Sequence, residues 1–139
     1  MELGFELFDH TADLGIRVFT PSLAELVAVS AEALYAAIGE LETEGAPRTE
    51  TFRFTGEDRA VLLRDYLAEL LLLFERDHRM VTQTRVIGFD ADRLEVTGES
   101  RAVSRSKSLL DREIKAVTYH GLKLEEIEGG YLAEYIIDI

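Results

Sequence analysis

The sequence contains no cysteine. This absence excludes disulfide bonds, zinc–thiolate sites, iron–sulfur clusters and cysteine nucleophiles. A metal site in this protein must therefore use oxygen or imidazole ligands. Ligands of that kind favour calcium, magnesium or manganese over softer metals.

Long apolar runs are also missing. The longest strongly apolar run covers residues 70–74, which is far too short to cross a lipid bilayer. The first four residues, Met1 to Gly4, lack the basic region and apolar stretch of a secretory signal. We therefore expect a cytoplasmic protein that does not associate with membranes.

Basic residues are few in comparison with acidic ones. The chain has 15 Lys and Arg residues against 27 Asp and Glu residues, which gives a formal net charge of −12. Because phosphate contacts supply much of the affinity for nucleic acid, an acidic surface disfavours strong direct binding to RNA or DNA. A role in nucleic-acid metabolism would therefore be exercised through a protein partner or through bound cations.

Length and patterning predict one α+β domain spanning residues 1–139. Ser22 and Glu25 form a capping box that begins a first helix, and Gly39 is a plausible end for it. Thr55 is the candidate cap of a second, Leu-rich helix that runs to about Glu75. The predicted strands cover residues 4–8, 15–19, 50–54, 80–89, 93–98, 113–125 and 131–139.

Because four strands with short connections follow the second helix, regular strand–helix alternation stops there. This order predicts a mixed, largely antiparallel sheet with both helices packed on one face. Residues 40–48 are expected to form an acidic loop, and residues 75–79 a charged turn in which His78 is solvated. The basic segment 101–112 is typical of a surface loop, with contact to an anion or a partner as the alternative.

The polar stretch Phe8 to Ile16 concentrates two carboxylates, an imidazole and a hydroxyl between two predicted strands. Its Asp, Thr and Gly residues are typical of an ordinary turn, although a polar connection on a rigid frame is also a place for chemistry. The chain has no Gly-rich phosphate loop, no nucleophile elbow and no His pair at the helical spacing of a metal site.

The end of the sequence brings two carboxylates together. Asp138 is followed directly by Ile139, the last residue, whose α-carboxylate lies within a few ångströms of the Asp138 side chain. Adjacent carboxylates repel each other unless a cation lies between them, and hard cations take such oxygen ligands. A third acid from Asp13 would complete a calcium or magnesium site. The alternative is that Asp138 ends a strand in solvent, and local sequence does not bring Asp13 near it.

Three separated motifs together resemble the archease family over essentially the whole chain. They are the stretch from Phe8 to Ile16, the segment 113–120 with the sequence Glu-Ile-Lys-Ala-Val-Thr-Tyr-His, and the ending 136–139 with the sequence Ile-Ile-Asp-Ile. The segment between Glu99 and Glu113 departs from the family, because it lacks a His that members commonly carry there and is slightly longer.

The resemblance implies a non-catalytic protein cofactor. Archeases activate the GTP-dependent RNA-splicing ligase of tRNA splicing and RNA repair, by promoting guanylylation of the ligase and its multiple turnover. The family binds a divalent cation, taken to be calcium, through residues that correspond here to Asp13, Asp138 and Ile139. The implied partner is the ligase, and GTP is met only through it. No catalytic residue is implied in this chain.

Two further functions stay open. A chaperone-like modulator of RNA-modification enzymes should expose an apolar patch. A stand-alone metal-dependent hydrolase needs a general base beside its metal, for which His10 and His120 are the available candidates. For each histidine the alternative is a purely structural role.

Overall fold

The computed structural model of the protein describes residues 2–10 and 13–139. In these residues the helices are α1 (Leu23–Ile38) and α2 (Arg59–Asp77). The strands are β1 (Gly4–His10), β2 (Asp13–Thr20), β3 (Gly39–Glu40), β4 (Thr43–Thr55), β5 (Arg79–Phe89), β6 (Arg93–Val103), β7 (Leu109–Leu110), β8 (Ala116–Val117), β9 (Lys123–Ile127) and β10 (Gly130–Asp138). Neither helix is long and apolar enough to span a membrane.

Every strand pairing in the described residues is antiparallel, and the α+β class predicted from the sequence is confirmed. The strands divide among three sheets. One runs in the order β1-β2-β10-β8, with β9 also paired to β10, the second in the order β4-β6-β5, and the third pairs β3 with β7. Helix α1 packs mainly on β2, whereas α2 packs on β5, β6, β4 and β8, so the helices share one core with both larger sheets.

Both ends of α1 form as the sequence predicts. The Ser22 hydroxyl accepts a hydrogen bond from the backbone N–H of Glu25 at 3.2 Å. At the other end Gly39 ends the helix with φ 157°, and its N–H donates to the carbonyl of Tyr35. A Cβ at Gly39 would lie 2.1 Å from the carbonyl oxygen of Leu109. Glycine is therefore needed here by the close approach of β7 as well as by the helix end.

The predicted cap of α2 is wrong. The cap is Asp58, whose carboxylate accepts from the N–H of Ala60 at 2.8 Å, while Thr55 is the last residue of β4 and pairs with Arg93. Both residue types suit a helix cap, so composition did not separate them. The helix continues to Asp77 and ends at His78, which has a left-handed conformation with φ 54°. Residues 75–79 therefore form the helix end and the start of β5, and no separate charged turn.

Three other expectations change in the structure. The predicted acidic loop 40–48 is largely part of β4, with an irregularity between Glu44 and Arg48. The predicted strand 113–125 is broken into β8 and β9 by a turn in which Gly121 has φ 61°. The basic segment 101–112 is not a loop throughout, because its first residues belong to β6, which extends to Val103, and residues 109–110 form β7. Alternation of apolar and polar residues identifies an extended segment. It does not say over which residues a neighbouring strand pairs with that segment.

Candidate functional site

The sheet register places Asp13 directly opposite Asp138. Strand β10 pairs with β2 so that Asp138 faces Asp13, and β8 pairs on the other side of β10 so that Ala116 faces Asp138. On the remaining side Asp13 is the ladder partner of His10 in β1. The two ends of the sequence therefore meet at one end of a single sheet. Residues 11 and 12 of the polar stretch lie outside the described residues, as does the side chain of His10.

Residues directly opposite on antiparallel strands project to the same face, with Cβ atoms about 5 Å apart. Asp13 and Asp138 are both partly buried, and Ile139, which follows Asp138, is 38% exposed. Two carboxylates in this arrangement repel each other, and a cation between them removes the repulsion. Because the donor set of Asp13, Asp138 and the Ile139 carboxylate consists of oxygen alone, it fits a hard divalent cation.

Within residues 2–10 and 13–139, no group of three or more His, Asp or Glu side chains is arranged to hold a metal ion. The pair of Asp13 and Asp138 therefore supplies two side chains, and the third predicted ligand is the α-carboxylate of Ile139. The carbonyl oxygen of Asp138 already accepts the N–H of Lys115 at 2.7 Å. The predicted ligand set Asp13, Asp138 and Ile139 stays a prediction.

Packing on the other face of the sheet fixes this register. Apolar side chains that alternate with the charged ones along β2 and β10 are buried against the helices: Leu14, Ile16, Val18, Ala133, Tyr135 and Ile137. A slip by one residue would turn this whole set to the opposite face. The Tyr135 hydroxyl adds a specific anchor, because it donates to the carbonyl of Ser30 in α1 at 2.8 Å.

The face that carries Asp13 and Asp138 has its own cross-strand contacts. Arg17 Nε donates to Glu134 at 2.5 Å, and its Nη1 contacts Glu6 on β1. The hydrogen bonds that the Arg17 guanidinium donates to Glu134, and then to Glu6, raise its pKa further. The guanidinium also lies 4.7 Å from the ring centre of Phe8. These contacts hold β1, β2 and β10 in the alignment that pairs the two aspartates.

Gly15 permits the close approach of Phe8 on this face. A Cβ at Gly15 would lie 2.2 Å from the Phe8 ring, so the ring covers the backbone of β2 at this point. Gly15 pairs with Ile136 in β10 and lies two residues from Asp13. Gly15 thus lies in a strand, as predicted for residues 15–19, and there it makes room for a neighbouring aromatic ring.

Segment 115–119 is attached both to β10 and to α2. Thr118 donates through its N–H and its hydroxyl to the carbonyl of Ile136, at 3.0 and 2.8 Å. From α2, Arg64 Nε donates to the carbonyl of Val117 at 2.9 Å, and Arg64 Nη1 donates to the Tyr119 hydroxyl at 2.9 Å. Arg64 did not emerge from the sequence, because an arginine on a helix has no local pattern that distinguishes it from a solvated one.

Two other groups singled out by the sequence lie at the surface or in the frame of the fold. His120, a candidate general base, is exposed, and its backbone N–H donates to the Thr118 hydroxyl at 3.2 Å. In the basic segment, Arg101 donates to the carbonyl of Gly45 at 2.6 Å and Arg112 to the carbonyl of Ala37 at 3.1 Å. These arginines therefore connect the segment to its own fold, which favours a structural role over anion binding.

A family model described as "Archease protein family (MTH1598/TM1083)" matches residues 5–139. Protein archease of Archaeoglobus fulgidus is 30% identical over 135 residues, which cover 97% of this chain and 98% of that protein. Protein archease of Methanothermobacter thermautotrophicus is 30% identical over 138 residues, which cover 98% of this chain and 99% of that protein.

Two solved structures are similar over nearly the full length. The solution structure of Methanobacterium thermoautotrophicum protein 1598 has a TM-score of 0.76 and 27% identity, covering 98% of this chain and 99% of that one. The crystal structure of an archease from Thermotoga maritima, described as a possible chaperone, has a TM-score of 0.70 and covers 96% of each chain. At 22% identity the latter shows likeness of fold alone.

Proposed function

The chain belongs to the archease protein family, and from this membership we propose that it is a non-catalytic activator of the RNA-splicing ligase in tRNA splicing and RNA repair. It promotes guanylylation of the ligase and multiple turnover. The observation that carries the proposal is the pairing of Asp13 with Asp138, which brings the sequence motifs at the two ends of the chain to one end of a sheet.

Asp13, Asp138 and the α-carboxylate of Ile139 would hold a divalent cation, calcium in the first instance and magnesium or manganese otherwise. A cation bound there supplies positive charge that stabilises a transferring phosphoryl group. The chain's own contribution is rigidity. The ion pair between Arg17 and Glu134 keeps β2 beside β10, and the Lys115 N–H holds the carbonyl of Asp138, so the carboxylates meet the ligase already aligned.

The partner is a protein with an RNA-binding and therefore basic surface. A chain with a net charge of −12 is attracted to such a surface, and complementary charge accelerates encounter. The same charge disfavours direct contact with RNA or GTP, so both reach this protein only in complex with the ligase.

A chaperone-like role toward RNA-modification enzymes is the second candidate. It is favoured by the neighbouring side chains of Leu109 and Leu110, which are 64% and 66% exposed. Exposed apolar surface is what a general chaperone uses to hold a partially folded partner. This role predicts prevention of aggregation without any dependence on Asp13 or Asp138.

The test is to incubate the protein with the ligase of the same organism, GTP, calcium or magnesium, and RNA with 3′-phosphate and 5′-hydroxyl ends. Ligase guanylylation and turnovers per ligase are measured. We expect stimulation by the native chain and loss of stimulation in Asp13→Ala and Asp138→Ala. Glu128→Gln, which removes a charge from the exposed turn before β10, is the control and should stimulate normally.

Phosphate release from GTP or RNA by this protein alone would instead indicate a hydrolase.

Extension of the chain by a short tag after Ile139 moves the terminal carboxylate without changing a side chain. It should weaken cation binding, measured by calorimetric titration with calcium. Unaltered stimulation by the aspartate variants would contradict the proposed site.

A further inference from the structure

The last residues of β10 depend on a very short neighbouring strand. Strand β9 pairs only with residues 130–134 of β10, so residues 137–138 lie between β2 on one side and the two-residue strand β8 on the other. In the described part of the chain no strand follows β8 in this sheet. The ends of a chain are poorly ordered unless contacts tie them down. The positions of Asp138 and Ile139 therefore depend on how firmly β8 is held.

Three hydrogen bonds connect the end of β10 to residues 115–118, which we call the strap. The N–H of Lys115 donates to the carbonyl of Asp138 at 2.7 Å. The N–H and the hydroxyl of Thr118 both donate to the carbonyl of Ile136, at 3.0 and 2.8 Å. Asp138 supplies one carboxylate of the predicted cation site, and the chain-terminal carboxylate follows it directly. A shift of the strap would therefore move both carboxylates.

Arg64 attaches the strap to helix α2. Its Nε donates to the carbonyl of Val117 at 2.9 Å, and its Nη1 donates to the Tyr119 hydroxyl just beyond the strap, also at 2.9 Å. Nη1 further contacts Asp65 at 2.9 Å. The Arg64 side chain is 19% exposed, and Val117 is buried in the core to which α2 contributes. A planar guanidinium with several fixed partners has little freedom to move, so it ties the strap to a buried helix.

We propose that Arg64 is a positioning residue for the cation site. By fixing the strap to α2, it holds the Asp138 carboxylate and the terminal carboxylate of Ile139 in the arrangement that binds a divalent cation. This role rests on the proposed function and assigns a part in the same site to a residue that, being a cation itself, is no ligand.

The size of the effect follows from the position of Arg64 in this chain of contacts. Removal of a group that orients metal ligands commonly lowers metal affinity about 10- to 100-fold. Because Arg64 acts through the strap and has no contact with Asp138 of its own among the described hydrogen bonds, we expect the low end of that range. By thermodynamic linkage, a bound cation must in turn stabilise the strap against β10.

The first measurement is the Kd for calcium, obtained by calorimetric titration of the folded chain. Arg64→Lys keeps the positive charge but loses the planar fork that reaches Val117 and Tyr119 together. It should raise the Kd for calcium about tenfold. Arg53→Lys is the matched control, because Arg53 lies on β4 in a different sheet and its side chain is 73% exposed. This control should leave the Kd for calcium unchanged.

Hydrogen exchange of backbone amides tests the same link in the opposite direction. In the native chain, saturating calcium should slow exchange at the N–H groups of Lys115 and Thr118, which donate to β10. The slowing should be about fivefold greater than at the N–H of Val103, which ends β6 in the other large sheet. Equal slowing at all three groups would show only general stabilisation by calcium and would overturn the link between the strap and the cation.

Stimulation of the ligase separates positioning from ligation. Arg64→Lys should need about tenfold more calcium for half-maximal stimulation but should reach the native maximum, because the three predicted ligands are unchanged. Asp138→Asn should fail to reach that maximum at any calcium concentration. A reduced maximum in Arg64→Lys at saturating calcium would contradict a role confined to positioning.

An unchanged Kd for calcium in Arg64→Lys, with native binding and stimulation intact, overturns the positioning role and leaves the proposed function standing. Failure of the native chain to bind calcium, magnesium or manganese overturns both the role of Arg64 and the proposed cation site. If Arg64→Lys does not fold, Thr118→Val decides the matter, because it keeps the shape of the side chain and removes only its hydrogen bond to Ile136. A rise of about threefold or more in its Kd for calcium supports the role of the strap, and an unchanged Kd refutes it.

Discussion

Replacing Asp138 with asparagine tests whether two facing carboxylates repel each other in the folded chain. The register pairs Asp138 with Asp13, and Cβ atoms in such pairs are about 5 Å apart. Two unit charges at about 5 Å interact by roughly 0.8 kcal/mol in water and by about 3 kcal/mol at an effective dielectric constant of about 20. Because both side chains are only partly buried, we adopt about 1 kcal/mol, the upper end of the range for cross-strand pairs.

Asp138→Asn should therefore stabilise the protein when no divalent cation is available. About 1 kcal/mol corresponds to a rise in melting temperature of about 3 °C for a chain of this size. Calorimetric unfolding in EDTA measures it. Calcium at about 100 times its Kd should stabilise the native chain by about 2.7 kcal/mol, or about 8 °C. Asp138→Asn should lose most of that gain, so the order of stability reverses between EDTA and calcium.

Glu128→Gln is the matched control, since it also removes one negative charge but from an exposed turn. It should change the melting temperature by less than about 1 °C in EDTA and keep the response to calcium. A drop in the stability of Asp138→Asn in EDTA would refute the repulsion argument. If calcium raised the melting temperature of Asp138→Asn as much as that of the native chain, Asp138 would be refuted as a ligand.

Three further predictions concern the frame of the site. Gly15→Ala should lower the free energy of unfolding by about 1–3 kcal/mol in urea titrations, because its Cβ meets the Phe8 ring, and most of this loss should vanish in a Phe8→Ala background. Asp58→Ala should lower the free energy of unfolding by about 1 kcal/mol in the same assay. Thr55→Ala leaves the cap of α2 in place and should lower the free energy of unfolding much less. Burial raises the pKa of Tyr35 from 10.0 to about 12, so the folded state keeps a proton that the unfolded state releases. Stability should therefore be complete below pH 10 and fall as the pH rises toward 12, with a shallower fall in Tyr35→Phe, as measured by urea unfolding at each pH.

Local patterns predicted the helices best. The capping box at Ser22 and Glu25 and the stop at Gly39 formed as expected, because capping depends on residues within one turn of each other. The strands predicted over residues 80–89 and 93–98 also formed, and they pair with each other as β5 and β6. The cap of α2 was misplaced because Thr55 and Asp58 carry the same local signal, and the pairing of Thr55 with Arg93 is a contact between distant residues.

Strand ends were the weakest part of the prediction. Alternation through residues 113–125 suggested one strand, but β10 offers ladder partners only to β8 and β9, and Gly121 takes a positive φ between them. Conversely, residues 40–48 are acidic and contain Pro47, yet most of them extend along β6 as part of β4. In both cases the neighbouring strand decides where the strand begins and ends, and local composition does not encode that neighbour.

The sequence by itself determined the classes of chemistry open to this protein. The absence of cysteine limits metal ligands to oxygen and imidazole, the charge of −12 disfavours nucleic acid, and three motifs identify the family. Only the tertiary structure decided that Asp13 faces Asp138 and that Arg64 of α2 contacts Tyr119. The physical reason is that side-chain chemistry is local, whereas strand register is selected by burial of a complete apolar face contributed by residues far apart in the chain.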